Sequence, residues 1–391
     1  MNRLAPLTLY TPGFAHYGIA WSPFHTTRLA VASAANYGLV GNGRLHIASI
    51  ASLPGVPPTI SLEKFYDTQD GLYDVAWSEI HENQLVTASG DGSIKLWDIM
   101  LNDLPIRAWQ EHTREVFSVD WSNMNKDLFI SSSWDGTVKL WSPERPRSIT
   151  TLQAHTTCVY QALFSPHEPD VIATCSTDGT VKIFDLRMPA YAPPAPGSAN
   201  FTKPLSAAAL TVPASGTEIL SLDWNKYKRY NLASGGVDKM VKVWDCRMVK
   251  IGPAGQETAF QAVGGICEAQ FAGHEYAVRK VQWSPHRPDL LASASYDMSC
   301  RVYVSVSRSW LLSSLHSSLL LFPYYLKLVL KVVSNHELFD RWSTNPTAAG
   351  TNLVYIHDPH TEFVVGCGWS LYEEGVLATC SWDCKVNVFR I

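Results

Sequence analysis

Four histidines stand 23 residues ahead of an aspartate: His112 and Asp135, His155 and Asp178, His274 and Asp297, His360 and Asp383. A carboxylate that orients an imidazole is the base half of a nucleophilic site. A catalytic reading must explain why the pair returns along the chain, and it finds no nucleophile placed by the same logic. Gly-rich phosphate loops, metal-ligand spacings and GxSxG motifs are absent too. A buried aspartate costs several kcal/mol unless it has partners. A pair that recurs is therefore a structural pair, and the chain is expected not to be an enzyme and to need no cofactor or metal. A second set of chemistry-bearing residues does not repeat. Asp67, Asp70, Asp74 and Glu79 fall within thirteen residues.

The pairs belong to a longer frame. Nine residues after its His comes an aromatic, 23 after an Asp, and 29 after another aromatic. From His112 these are Trp121, Asp135 and Trp141; from His155, Phe164, Asp178 and Phe184. From His274 they are Trp283, Asp297 and Tyr303; from His360, Trp369, Asp383 and Phe389. Two copies lack the His, one from Thr68 (Trp77, Asp91, Trp97) and one from Ser215 (Trp224, Asp238, Trp244). A degenerate copy opens the chain with Trp21 and the run Leu29 to Ser33, which makes seven. Each copy holds alternating runs such as VFSVDW and TVKLW, separated by turn-forming residues, and these are short antiparallel strands. A four-stranded unit cannot bury both faces alone, so such units stack radially.

The ends GDGSIKLWD and WDGTVKLW carry the WD-repeat signature, and the chain resembles the WD40 family over nearly its whole length. The resemblance implies an all-β, seven-bladed WD40 β-propeller in a single domain over 1–391. In that family the His, a Ser or Thr of strand b, the b–c Asp and the strand-c Trp form a buried hydrogen-bond chain. His112, Ser133, Asp135 and Trp141 resemble such a set, with Ser131 and Ser132 as alternatives for the hydroxyl. The last copy ends at strand c (CKVNVFRI), so one outer strand is missing. The N-terminal LTLYT, Leu7 to Thr11, is its expected supplier, which also removes an open edge.

The net charge of −4 argues against a nucleic-acid partner. Eight cysteines without a CxxC read as small apolar residues in a reducing compartment. The N-terminus has no signal-peptide apolar core. Blade one lacks the usual Asp, and Gly38, Gly41 and Gly43 predict a looped b–c connection with special backbone angles. Between blades four and five, the Pro-rich 188–204 is expected to be a disordered loop, and 248–265, between blades five and six, to be similarly loose.

Three stretches outside the generic signature go further. SAANYGLVGNGRLHI, FYDTQDGLYDVAWSE and the pair YIHDPHTEF with CSWDCKVNVFR resemble the WD-repeat peroxins, receptors for type-2 peroxisomal targeting signals. The resemblance implies a cargo receptor that binds matrix proteins in the cytosol through an N-terminal amphipathic signal helix. Such a helix has Arg or Lys near one end and His or Gln near the other. It also implies a disordered co-receptor peroxin, a peroxisomal docking complex, and cycling between cytoplasm and the peroxisomal membrane and matrix. The residues suit a basic amphipathic helix, which needs carboxylates at its charged positions and an apolar floor. Asp67, Asp70, Asp74 and Glu115 are candidates for the charge. Trp134, Tyr296 and Trp382, each just before a b–c Asp, are candidates for the floor, with Glu362 and Arg279 as weaker rim candidates. The alternative is a generic WD40 scaffold, a histone-binding or ubiquitin-ligase substrate adaptor, with the acids solvated and the aromatics packed between blades. A propeller enzyme would need a channel carboxylate set beyond the repeated Asp, and the sequence shows none.

Frame starts are spaced 44, 43, 60, 59 and then 86. The long step contains 303–341 in blade six. Removing those 39 residues shortens the step to 47 and brings Trp342 to the place of the strand-c aromatic, as SCRVWSTNP. The segment therefore reads as an irregular insertion translated from a retained intron. A membrane span is the rival reading: Ser309 to Leu326 is an uncharged run of eighteen. It carries five Ser, His316 and Pro323, Lys327 and Lys331 cut it off, and a spanning helix would tear the ring, so no stable membrane insertion is expected. Transcript sequencing is expected to find a shorter product lacking codons 303–341; finding the long form alone overturns the intron origin.

Overall fold

The computed structural model describes residues 6–38, 41–52, 54–102, 104–188, 205–250, 262–305 and 352–391. Among them, 28 strands form four-stranded antiparallel units, lettered a to d from the inside outwards, and the outer strands of blades four and five also pair in parallel, Leu210 opposite Ala262. Blade three is typical, with a at Val116–Trp121, b at Phe129–Ser133, c at Thr137–Trp141 and d at Thr150–Gln153. Strand a alternates in burial, whereas strand b is buried throughout, because blades cover both of its faces. Each strand a lies against the next, and that of blade seven lies against that of blade one, so the ring is closed. The apolar core is the set of surfaces between blades. Between blades two and three it contains Val86, Leu96 and Trp109 against Val119, Trp121 and Trp141.

Blade seven takes strand d from the N-terminus. Leu7–Tyr10 pairs antiparallel with Lys385–Arg390, Leu7 opposite Val388, as the sequence predicts. Leu9 is buried there beside Val388, Val386 and Trp21. The blade-one connection also needs the backbone expected of it. Gly38 and Gly41 have φ of 72° and 37°, and Asn36, Tyr37 and Asn42 share that left-handed region. A Cβ on Gly43 would lie 2.4 Å from the Asp70 carbonyl oxygen.

The hydrogen-bond chain is present, with one correction. His112 Nδ1 donates to Asp135 Oδ2 at 2.9 Å, and His112 Nε2 meets Ser131 Oγ at 2.8 Å. Trp141 Nε1 donates to that same hydroxyl at 2.8 Å. The relay is therefore Ser131, not Ser133, whose hydroxyl instead donates to the Arg114 carbonyl at 3.2 Å. Side-chain alternation along strand b decides this: the relay stands 19 residues after its His, as do Thr174, Ser293 and Thr379 in blades four, six and seven. His155, His274 and His360 bond Asp178, Asp297 and Asp383 at 2.7, 2.8 and 3.0 Å.

All three long interruptions fall inside blades rather than between them. The first separates strand c (Thr180–Asp185) from strand d (Leu210–Pro213) of blade four. The second separates Val241–Lys250 from Ala262–Phe271 in blade five, where the strands run into the stretch expected to be loose. The third separates Cys300–Val304 from Leu353–His357 in blade six. The disorder expected of 189–204 and the insertion from residue 306 onward lie outside the described residues, as does Trp342. Residues 303–305 are described. Tyr303 occupies the strand-c aromatic position that shortening the chain would give to Trp342. It pairs with Leu291, is 2 % exposed and stacks on Phe271 with centroids 5.0 Å apart.

Several buried histidines resist protonation. Burial lowers His16 to about 4, against a backbone hydrogen bond with the Lys385 carbonyl. Burial and the neighbouring His16 lower His46 to about 2; burial and His360 lower His357 to about 3. The unfolded chain takes these protons near the ordinary value of 6.5. Stability is therefore full above that value and is lost as pH falls towards the folded-state values. Between pH 7.5 and 5 the urea midpoint is expected to drop, with each such His contributing about 1–2 kcal/mol. A midpoint that stays level or rises over that range overturns this account.

Candidate functional site: the aromatic rim and the channel beneath it

Each strand a carries a bulge, at its second residue in blades two to seven and at its fourth in blade one. Val116 pairs with Ser133 and Ser118 with Ser132, which leaves Phe117 unpaired between them. The same slip isolates Tyr17, Tyr73, Tyr160, Leu220, Arg279 and Val365 in the other blades. A bulge re-aims its side chain. Six of these seven residues, all but Leu220, line one constriction at the channel mouth.

The mouth is framed by an aromatic arc. Tyr296 lies 4.9 Å from Phe363, Phe363 5.2 Å from Trp382, and Trp382 5.5 Å from Tyr17 (ring centroids). Tyr17 meets Tyr73 at 5.2 Å, and Tyr73 stacks on Phe117 at 4.6 Å. Phe117 in turn stacks on Trp134 at 4.5 Å, 5° from parallel. The three aromatics picked from the sequence, Trp134, Tyr296 and Trp382, thus share one arc. Their links, Tyr17, Tyr73, Phe117 and Phe363, were not picked. A frame-based signal for three positions existed: Tyr73, Phe117 and Tyr160 each stand five residues after the start of their copy.

The four acids separate. Asp70 and Glu115 are both near enough to act on Tyr73, where burial first and then these two carboxylates raise the phenol. Asp67 is on the outer strand of blade one, paired with Arg44 at 2.6 Å. Asp74 points inward and accepts the N–H groups of Val75 at 3.0 Å and of Val119, in the next blade, at 3.2 Å. The four-acid cluster expected from the sequence is therefore corrected to a pair, Asp70 and Glu115. Strand alternation takes Asp74 to the opposite side, and Arg44 pairs closely with Asp67, whereas Arg114 stands at 3.6 Å from Glu115. Of the weaker candidates, Glu362 is half-buried on the rim and its carbonyl accepts the Ser381 hydroxyl.

Below the mouth the channel widens to a cavity of about 270 Å³ lined by Asp74, Asp120, Asp223, Lys226 and Lys280. This is the carboxylate set that the sequence reading did not find. The acids have a structural use. Asp120 accepts the Phe164 N–H at 2.7 Å and Asp223 the Trp283 N–H at 2.7 Å, each from the following blade. Gln161 and Gln282 do the same for Leu222 at 3.0 Å and Trp369 at 2.8 Å. Among the described residues, no three metal-ligating side chains come together.

Comparison with known proteins follows this geometry. The WD domain, G-beta repeat family matches residues 61–98, 104–142, 146–185, 209–245 and 265–303. The peroxisomal targeting signal 2 receptor of Saccharomyces cerevisiae is 35% identical over 98% of this chain and 99% of its own length. That of Komagataella phaffii is 38% identical over 97% of both. The chain belongs to the peroxisomal targeting signal 2 receptor family. The human receptor of that name is 42% identical over 28% of this chain and 32% of its own.

In this receptor-family propeller, aspartates of one chemical type stand in opposite electrostatic settings. Burial raises Asp120 to about 7; the Phe164 N–H opposes that, and Asp74 and Asp223 add to it. Burial also acts on Asp135, but bonds from His112 and Thr137 outweigh it and hold this carboxyl well below the usual range. Asp120→Asn keeps an acceptor for Phe164 and removes a costly charge. At pH 8 it is expected to stabilise the fold by on the order of 1 kcal/mol. Asp135→Asn breaks a paired network and is expected to cost about 3–5 kcal/mol. Urea midpoints measure both, and the same sign for the two changes overturns the assignment.

Proposed function

We propose that this chain is a receptor for type-2 peroxisomal targeting signals, with the aromatic rim as its docking face. It binds and delivers rather than catalyses. Membership of the receptor family over nearly the whole chain carries this reading, and the rim chemistry supports it. The signal helix lies with its apolar side on the arc from Trp382 through Tyr17, Tyr73 and Phe117 to Trp134. Its basic residues lie over Asp70 and Glu115. Aromatic anchors supply most of the energy at such faces, and the acids fix orientation.

Its work concerns the peroxisome. In this reading the receptor meets cargo in the cytosol, engages a co-receptor over the same face and passes cargo to the docking machinery at the peroxisomal membrane. No helix among the described residues is long and apolar enough to cross a membrane.

The test is fluorescence anisotropy with a labelled type-2 signal peptide, in the presence of a co-receptor peroxin. Trp134→Ala and Trp382→Ala are each expected to weaken binding by about tenfold or more. Glu115→Gln is expected to act mainly on peptides that keep their basic positions. Equal affinity of all three variants and the unaltered chain overturns the rim as the docking face.

A further inference from the structure

The rim's charge is not all negative. Arg279, the bulge residue of blade six, reaches the far side of the channel mouth. Its guanidinium carbon stands 5.7 Å from the ring centre of Phe117 in blade three and 5.6 Å from that of Tyr160 in blade four. Nη1 donates to the Leu220 carbonyl of blade five at 3.3 Å. The residue is 8 % exposed. No carboxylate stands within ion-pair distance of it among the described residues, and no other guanidinium N–H has a protein acceptor. A guanidinium has five N–H donors in a planar fork. A buried cation is ordinarily paired. Here two aromatic faces and one carbonyl take the place of a counter-ion.

Asp74, whose charge interacts with Lys280 and Arg279, is already held by the N–H groups of Val75 and Val119. Lys280, next in sequence and lining the same constriction, adds a second cation with no ion pair. The constriction holds about 20 Å³. That is room for one water-sized group, such as a single carboxylate oxygen.

We infer that Arg279 is the recognition element of a carboxylate subsite at the centre of the rim, taking one Asp or Glu side chain of the polypeptide docked on the aromatic arc. The inference rests on the rim being the docking face. A charge-assisted bond to a carboxylate oxygen is the contact this side chain lacks. The acids at Asp70 and Glu115 and the cation at Arg279 then read different residues of one ligand and set its register on the face.

The experiment walks a single Glu through a signal peptide that otherwise has no acidic residue, with the full chain as receptor. The readout is the affinity ratio between each Glu peptide and its parent. One or two adjacent positions are expected to gain about tenfold in the unaltered chain. In Arg279→Gln that ratio is expected to fall to within about twofold of unity, whatever the parent affinity, and in Arg279→Lys to be intermediate. The Lys variant keeps the charge, and so decides the matter if the Gln variant folds poorly. Free acetate, compared with chloride at equal ionic strength, is expected not to erase the gain. Parent binding without a gain at any position, or a gain that survives Arg279→Gln, overturns the subsite alone. Full erasure by acetate reassigns the site to a free anion. No binding by any peptide overturns the subsite and the docking reading together.

Discussion

Seven inner strands converge on one axis, and each is an edge. On its channel side there is no further strand to accept its N–H groups, and an unpaired edge is both costly and open to unwanted pairing. The structure answers with side chains. Asp74, Asp120, Gln161, Asp223 and Gln282 each accept a backbone N–H of the following blade. Trp21 and Trp77 donate their indole N–H groups to carbonyls of a neighbouring blade at 2.8 and 3.1 Å. The apolar surfaces between blades supply most of the driving force. These polar links set the angle at which one blade follows another.

The same edges produce the rim. A bulge in an interior strand would disturb two neighbours, but in strand a it disturbs only strand b, so the innermost strands can carry one in every blade. Seven side chains are thereby released from the ladder. Most are aromatic, and they connect with the residues preceding the b–c aspartates into the arc that frames the channel mouth. The buried His–Ser–Asp–Trp chain lies behind that arc. Its His–Asp pair holds the b–c turns of blades three, four, six and seven, and three of these carry Trp134, Tyr296 and Trp382.

Much of this was legible in the sequence, because a frame that returns at fixed spacing reports fold, strand order and the buried pairs together. The closing strand at Leu7 was legible from a count of strands. Ser131 was not separated from Ser133, because three consecutive serines hide the phase of the strand. Asp74 was grouped with Asp70 by nearness in sequence, although one bulge and one step along a strand send the two carboxylates to different compartments. The bulge residues were missed for a related reason. Apolar alternation looks unbroken through VFSVDW, and only the pairing with strand b shows that Phe117 has no partner. Two of the three long interruptions were assigned between blades because the frame marks strands a to c and is silent about d.

The closing strand bears on how the chain reaches this state. Thr8 and Asn387, hydrogen-bonded at 2.8 Å, are 379 residues apart. Leu7–Tyr10 is made long before its partner, and until Lys385–Arg390 emerges that pairing cannot form. Bringing such ends together costs roughly 4 kcal/mol more entropy than closing a four-residue hairpin. Every other blade takes its four strands from one stretch of chain, although long segments separate c from d in blades four, five and six. Maturation of this receptor therefore has a distinct final event, the joining of two chain ends. During the interval before it, six complete blades and one three-stranded blade expose a single open seam.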